Sequence, residues 1–143
     1  MRFLYRLADA ARNRYRIKHS TIEQAHGRRG EDLAHRFLRS RGLQIVSRNF
    51  RPRSGSGELD LVAWDRQNLV FVEVKTRASN EFGSPGRAVG SDKEKELRRA
   101  AGEYLRRSGT PVEQARFDVV SIVLTNPLQI EWTKDAFPVS RRL

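Results

Sequence analysis

At 143 residues, with 38% hydrophobic and 31% charged side chains, the chain has the size and balance of one globular domain with a single core. It contains no cysteine, which excludes disulfides, thiol catalysis and cysteine-ligated zinc. A net charge of +11 points to a polyanionic partner, with nucleic acid ahead of a ribosomal or anionic membrane surface.

The chain begins with a basic stretch, residues 1–19, in which Arg2, Arg6, Arg12, Arg14, Arg16 and Lys18 face the single acid Asp9. Phe3, Leu4, Leu7, Ala8, Ala11 and Tyr15 recur near helical spacing, so a short amphipathic helix is expected there. It would track a phosphate backbone, touch an anionic membrane, or fray as a tail. No apolar run could span a bilayer, and arginines interrupt the first residues where a secretory signal would be apolar. The cytoplasm is therefore the expected location, and membrane association is not expected.

Residues 20–143 read as one domain. Ser20-Thr21-Ile22-Glu23 resembles a capping box, placing Ser20 at the N-cap of a helix that runs to about Arg41 and stops at Gly42. His19, His26 and His35 lack the spacing of a zincin pair, and His19 and His26 read as solvated surface. Residues 43–50 suit a first strand, and 51–57 a turn or flexible loop. Leu59–Trp64 and Leu69–Val74 are β-rich runs around a hairpin turn, followed by a glycine-containing loop from Ser79 to Gly90. From Ser91 to about Arg107 an apolar stripe of Leu97, Ala100, Ala101, Tyr104 and Leu105 predicts a second helix. Phe117–Leu124 is continuously apolar apart from Asp118 and Ser121, as in a strand covered on both faces. After Asn126-Pro127 a last strand is expected around Leu128–Trp132. The order is α-β-β-β-α-β-β.

The hairpin carries the chemistry. A turn centred between Arg66 and Gln67 sets Trp64 opposite Leu69, Val62 opposite Phe71, and Asp60 opposite Glu73. Glu58 then falls opposite Lys75 on the same face. Opposed carboxylates ~5 Å apart repel unless a cation compensates. Mg²⁺ prefers oxygen ligands, and a metal with a neighbouring lysine suits phosphodiester cleavage. The plain alternative is a solvated sheet face with Glu58–Lys75 and Asp60–Lys75 ion pairs. Glu-x-Lys alone decides nothing: at ~6% usage of each residue it recurs about once per 300 positions. Glu31 adds weight, because it points with the apolar stripe of the first helix, where acids seldom sit without a partner. Gly27 and Gly30 thin that face, either for tight packing on the sheet or for close approach of a phosphate. Lys93 shares the angular sector of Leu97 and is the better of the two nearby lysines for a substrate phosphate; Lys95 points away. Asp118 could serve only to neutralise a nearby arginine.

Gly27-Arg-Arg-Gly30-Glu31, Arg48-Asn-Phe-Arg51, Gly57-Glu-Leu-Asp60-Leu61, Phe71-Val-Glu73-Val-Lys75-Thr-Arg77 and Phe117-Asp-Val-Val-Ser-Ile122, in that order, resemble the signature of the uncharacterised bacterial YraN-type family. The resemblance covers roughly residues 21–124, leaving the basic extension outside it. That family is assigned to the restriction-endonuclease-like superfamily and is similar to archaeal Holliday junction resolvases. The resemblance implies an α/β three-layer fold, a central mixed sheet flanked by helices, with Mg²⁺- or Mn²⁺-dependent endonuclease activity on DNA. Carried over, Asp60 and Glu73 would ligate the metal with the Val74 carbonyl. Lys75 would be the catalytic lysine, Glu31 an additional helical acid, and Arg51 and Arg77 contacts to the DNA backbone. A homodimer would supply the two sites that cutting two strands requires, and no small-molecule cofactor is expected. A catalytically silent nucleic-acid-binding module on the same fold is the competing expectation.

Overall fold

The computed structural model describes residues 2–79 and 89–140, with side chains in the first helix from residue 21 onward. Seven principal elements follow the expected order: α1 (Arg2–Ser40), β1 (Gln44–Phe50), β2 (Leu59–Asp65), β3 (Asn68–Arg77), α2 (Ser91–Ser108), β4 (Ala115–Val123) and β5 (Gln129–Phe137). A short 3₁₀ turn at Val112–Gln114, absent from the sequence reading, leads into β4.

The strands form one sheet in the order β1-β2-β3-β4-β5. β3 and β4 run parallel and the other neighbours antiparallel, so the sheet is mixed. The parallel pair needs a crossover, and α2 supplies it. Side chains alternate across the sheet into two cores. Leu69, Phe71, Phe117 and Val119 pack with Leu97, Ala100, Ala101 and Leu105 of α2. Val70, Val72, Val120 and Ile122 pack with Ala34 and Leu38 of α1. This is the three-layer α/β arrangement anticipated above, and Val119–Val123 is buried throughout because both faces of β4 are covered.

Helix α1 corrects the capping-box reading. It runs unbroken through Ser20 for 39 residues. No glycine or proline interrupts residues 2–26, and extending an existing helix costs far less than nucleating a new one, so Ser20 is mid-helix. The stop lies where expected. Gly42 adopts φ 91°, its N–H donates to the Arg39 carbonyl, and the Leu43 N–H donates to the Leu38 carbonyl. Leu43 and Leu38 are both buried, completing a Schellman motif with its hydrophobic contact. The apolar face expected of residues 1–19 and most of the loop 79–90 fall outside what is described.

Two further boundaries shift. β3 extends to Arg77 because each residue from Leu69 onward has a parallel partner on β4. β5 extends past Trp132 to Phe137, which pairs with Phe117 across an irregularity near Asp135, whose φ is 51°. Polar residues Thr133–Asp135 on this edge strand mask the alternation that would reveal it.

Candidate metal centre

The hairpin register is the one read from the sequence. Asp65 pairs with Asn68, Trp64 with Leu69, Val62 with Phe71 and Leu61 with Val72. Leu61↔Val72 is the last registered pair of β2 with β3. Beyond it, the Asp60 carboxylate accepts the Val74 N–H (2.8 Å). The candidate acids therefore sit at the point where the β2–β3 ladder ends.

The loop before β2, expected as a turn or flexible loop, is a pinned turn. The Glu103 carboxylate on α2 accepts the backbone N–H groups of Arg53 (2.8 Å) and Ser54 (3.1 Å). Arg99 donates to the Ser56 carbonyl. Gly57, at φ 113°, brings its α-carbon against the Glu96 backbone, where an added Cβ would lie 3.2 Å from the carbonyl oxygen. This docking on α2 sets the approach of Glu58 and Asp60. On the other layer, an added Cβ at Gly30 would fall 1.9 Å from Thr76 Oγ1, so Gly30 lets α1 settle on β3 and carries Glu31 to the same place.

The result is a cleft of about 430 Å³ lined by Glu23, His26, Gly27 and Glu31 of α1, Asp60 of β2, and Glu73, Val74 and Thr76 of β3. Carboxylate oxygens of Glu31, Glu58 and Asp60 all lie within 4.8 Å of one another. The electrostatics are unfavourable to that many charges. Asp60 is pushed up to about 7, first by burial and then by the Glu73 charge, with the Val74 N–H opposing. Glu73 is also raised, chiefly by burial, against the pull of Lys93. Glu31 is raised by burial and by Asp60 and Glu58. Lys75 is lowered, mainly by burial and partly by Arg77, while Glu73 works the other way.

Cations edge the cleft. Lys93 Nζ lies 3.9 Å from Glu73 Oε1, on the side its helical sector predicted. Arg48 Nη2 reaches Asp32 (2.8 Å) and Glu31 (3.8 Å), and Arg51 Nε reaches Glu58 (3.3 Å). Asn49, at φ 55°, can turn its amide nitrogen to donate to Glu58 Oε1 (2.7 Å) and Glu31 Oε2 (3.1 Å). Yet Glu73 Oε2 is buried with no hydrogen-bond partner among the described residues. A buried, unpartnered carboxylate oxygen beside three crowded acids fits a divalent cation, which prefers oxygen donors and would relieve the repulsion.

Glu31, Asp60, Glu73 and Val74 are thus brought to one cleft, with Lys93 beside it. Lys75 stands two residues beyond Glu73 on the same strand. Arg51 lies against Glu58, its side chain largely exposed. Arg77 ends β3, where its carbonyl accepts the Leu124 N–H (2.8 Å). The sequence reading missed Glu23, His26, Arg48, Asn49 and Thr76. Glu23, Gly27 and Glu31 do recur at four-residue spacing, the one signal that could have extended the site along α1.

Fold and site together define an α/β protein with a three-layer core and a carboxylate-lined cleft at the end of its central hairpin. Residues 30–122 match the Uncharacterised protein family UPF0102, and the chain belongs to that family. It is 49% identical over 134 residues to a UPF0102 protein of Solibacter usitatus (strain Ellin6076), covering 94% of this chain and 97% of that one. It is 50% identical over 103 residues to a UPF0102 protein of Nocardia farcinica (strain IFM 10152), covering 72% and 80%. Among the described residues no helix is long and apolar enough to cross a membrane.

Proposed function

We propose that the protein is a divalent-metal-dependent DNA endonuclease. The observation that carries this reading is the buried, unpartnered Glu73 Oε2 beside an Asp60 whose carboxyl is raised to about 7. Burial of crowded carboxylates is costly, and fixed oxygen donors with an excess of negative charge are what Mg²⁺ or Mn²⁺ would satisfy. Asp60, Glu73, Glu31 and the Val74 carbonyl are the residues that would hold it. Bound there, such an ion would polarise a phosphoryl oxygen and acidify a bound water.

The remaining work falls to the chain's own groups. Lys75, with its pKa lowered by burial, holds a proton at Nζ that can be directed at a phosphate oxygen or at the attacking water. The Val74 N–H fixes the rotamer of Asp60. Lys93, 3.9 Å from Glu73, offers a positive charge to a substrate phosphate. Arg51 and Arg77 extend that positive field along the backbone, and the net charge of +11 favours association with DNA.

Cleavage of labelled duplex, flap and four-way-junction DNA with Mg²⁺ or Mn²⁺ tests this. Wild type should cut at least one substrate, chelator should stop it, Asp60→Ala should be inactive, and Lys75→Ala should fall on the order of 10²–10³-fold. If no substrate is cut and both variants bind DNA like wild type, the protein is instead a binding module.

A further inference from the structure

Beyond the acid cleft, α1 carries a second concavity whose chemistry is the reverse. It encloses about 320 Å³ between α1 and the edge strand β1, lined by Asp32, His35, Arg36, Arg39 and Arg48. Three guanidinium groups meet one carboxylate, and that carboxylate is engaged by Arg48 at 2.8 Å. No described carboxylate forms an ion pair with Arg36 or Arg39. His35 Nδ1 is buried at this place with no hydrogen-bond partner among the described residues. His35 is held below its usual pKa, first by burial and then by Arg48 and Arg39.

We infer that this pocket binds a backbone phosphate of the same nucleic-acid strand whose scissile phosphate enters the acid cleft. This deepens the endonuclease reading and rests on it for the shared strand. Guanidinium forks match phosphate oxygens in pairs, and Arg36, Arg39 and Arg48 line this one concavity. Spacing supports continuity. Glu31 in the cleft and Arg39 in the pocket are eight residues apart on one helix, about 12 Å at ~1.5 Å per residue. A nucleic-acid strand rises ~3.4 Å per nucleotide along the duplex axis, so α1 lying parallel to that axis would set the two sites about three to four nucleotides apart. Arg48 joins them, with one guanidinium nitrogen within reach of both Glu31 and Asp32.

The test uses the full chain with EDTA present, so that binding is read without turnover. Fluorescence anisotropy would follow a labelled 20-base-pair duplex over a salt series, comparing wild type with Arg36→Ala/Arg39→Ala. The charge-matched control is Lys95→Ala/Arg106→Ala, two exposed cations on α2 outside both sites. Circular dichroism would verify folding of each variant. The pocket variant should lose about tenfold in affinity, with the slope of log K against log salt shallower by about one, as for one lost phosphate contact. The control should change less than threefold. Equal losses in the two double variants would overturn the pocket and leave only diffuse charge. A loss seen on vesicles containing 30% phosphatidylserine but not on duplex DNA would overturn it in favour of a lipid headgroup. Because the readout is metal-free binding, a protein that never cuts DNA can still pass, and one that cuts can still fail.

Discussion

Two aspartates on this sheet, Asp118 fully buried and Asp60 half-buried, are handled in opposite ways. Asp118 on β4 is fully buried and has two donors for each oxygen. Arg116 Nε (3.0 Å) and the Asp135 N–H (3.0 Å) reach Oδ1, while Arg116 Nη2 (3.2 Å) and Trp132 Nε1 (2.9 Å) reach Oδ2. Arg116 also ties to Asp65 beside the hairpin turn at 2.7 Å. Asp60 accepts the Val74 N–H, and its neighbour Glu73 keeps one oxygen unpartnered. A completed hydrogen-bond shell marks an acid that holds the fold together. An incomplete shell with carboxylates crowded around it is the feature on which the proposed metal site rests.

The largest effect should come from breaking the completed shell. Asp118→Ala leaves an indole N–H and a backbone N–H without their acceptor and Arg116 with Asp65 alone, and should cost roughly 3–5 kcal/mol in urea unfolding. Where it still folds, its Mg²⁺ affinity should equal wild type. A loss under ~1 kcal/mol would show that the network is dispensable and the contrast empty.

Asp60→Asn should do the reverse, retaining an oxygen for the Val74 N–H while removing the charge. In wild type the folded carboxyl, at about 7, titrates above its ordinary 3.8. Between those values the folded state holds a proton that the unfolded state has released. Its stabilising contribution is therefore complete below about 3.8 and is lost as pH rises through about 7. A displacement of one pH unit corresponds to about 1.4 kcal/mol, so metal-free wild type should lose on the order of a few kcal/mol across this window. Asp60→Asn should be flatter across it and more stable than wild type at pH 8. Millimolar Mg²⁺ should recover the loss in wild type and do little for the variant. Thermal melts from pH 4 to 8 with and without Mg²⁺ read all of this, and destabilisation of Asp60→Asn at pH 8 would place Asp60 with Asp118 as a structural acid.

Much of this contrast was legible in the sequence, and the reasons differ by residue. The hairpin register followed from a turn at Arg66-Gln67, because period-two alternation leaves little freedom once a two-residue turn is set. The inward direction of Glu31 followed from helical phase with Leu38. The neutralising role of Asp118 was anticipated, and Arg116 is the arginine concerned. Arg48 and Asn49 were not legible as site residues, since β1 reaches the acids only through its pairing with β2. His26 and Glu23 were hidden because their face of α1 is exposed by local helix pattern alone and becomes a wall only when β3 packs beneath it. The unbroken run of α1 through Ser20 was masked by a motif whose residues are as compatible with a helix interior as with a cap.

The smallest effects separate two glycines that the sequence treated alike. Gly30→Ala must displace Thr76, whose Oγ1 would sit 1.9 Å from the new Cβ, and should cost roughly 1–3 kcal/mol. Thr76→Ala should relieve only part of that, because the residue 76 Cβ would itself lie 2.9 Å away. At Gly27 an added Cβ meets nothing within 4 Å, so Gly27→Ala should gain about 0.8–1 kcal/mol from helix propensity. Gly27 nevertheless lines the acid cleft. If the alanine variant is more stable but cleaves DNA more slowly, the methyl obstructs a bound strand and the glycine is kept for the ligand's approach. If stability rises and cleavage is unchanged, the space above Gly27 is not on the path of the substrate.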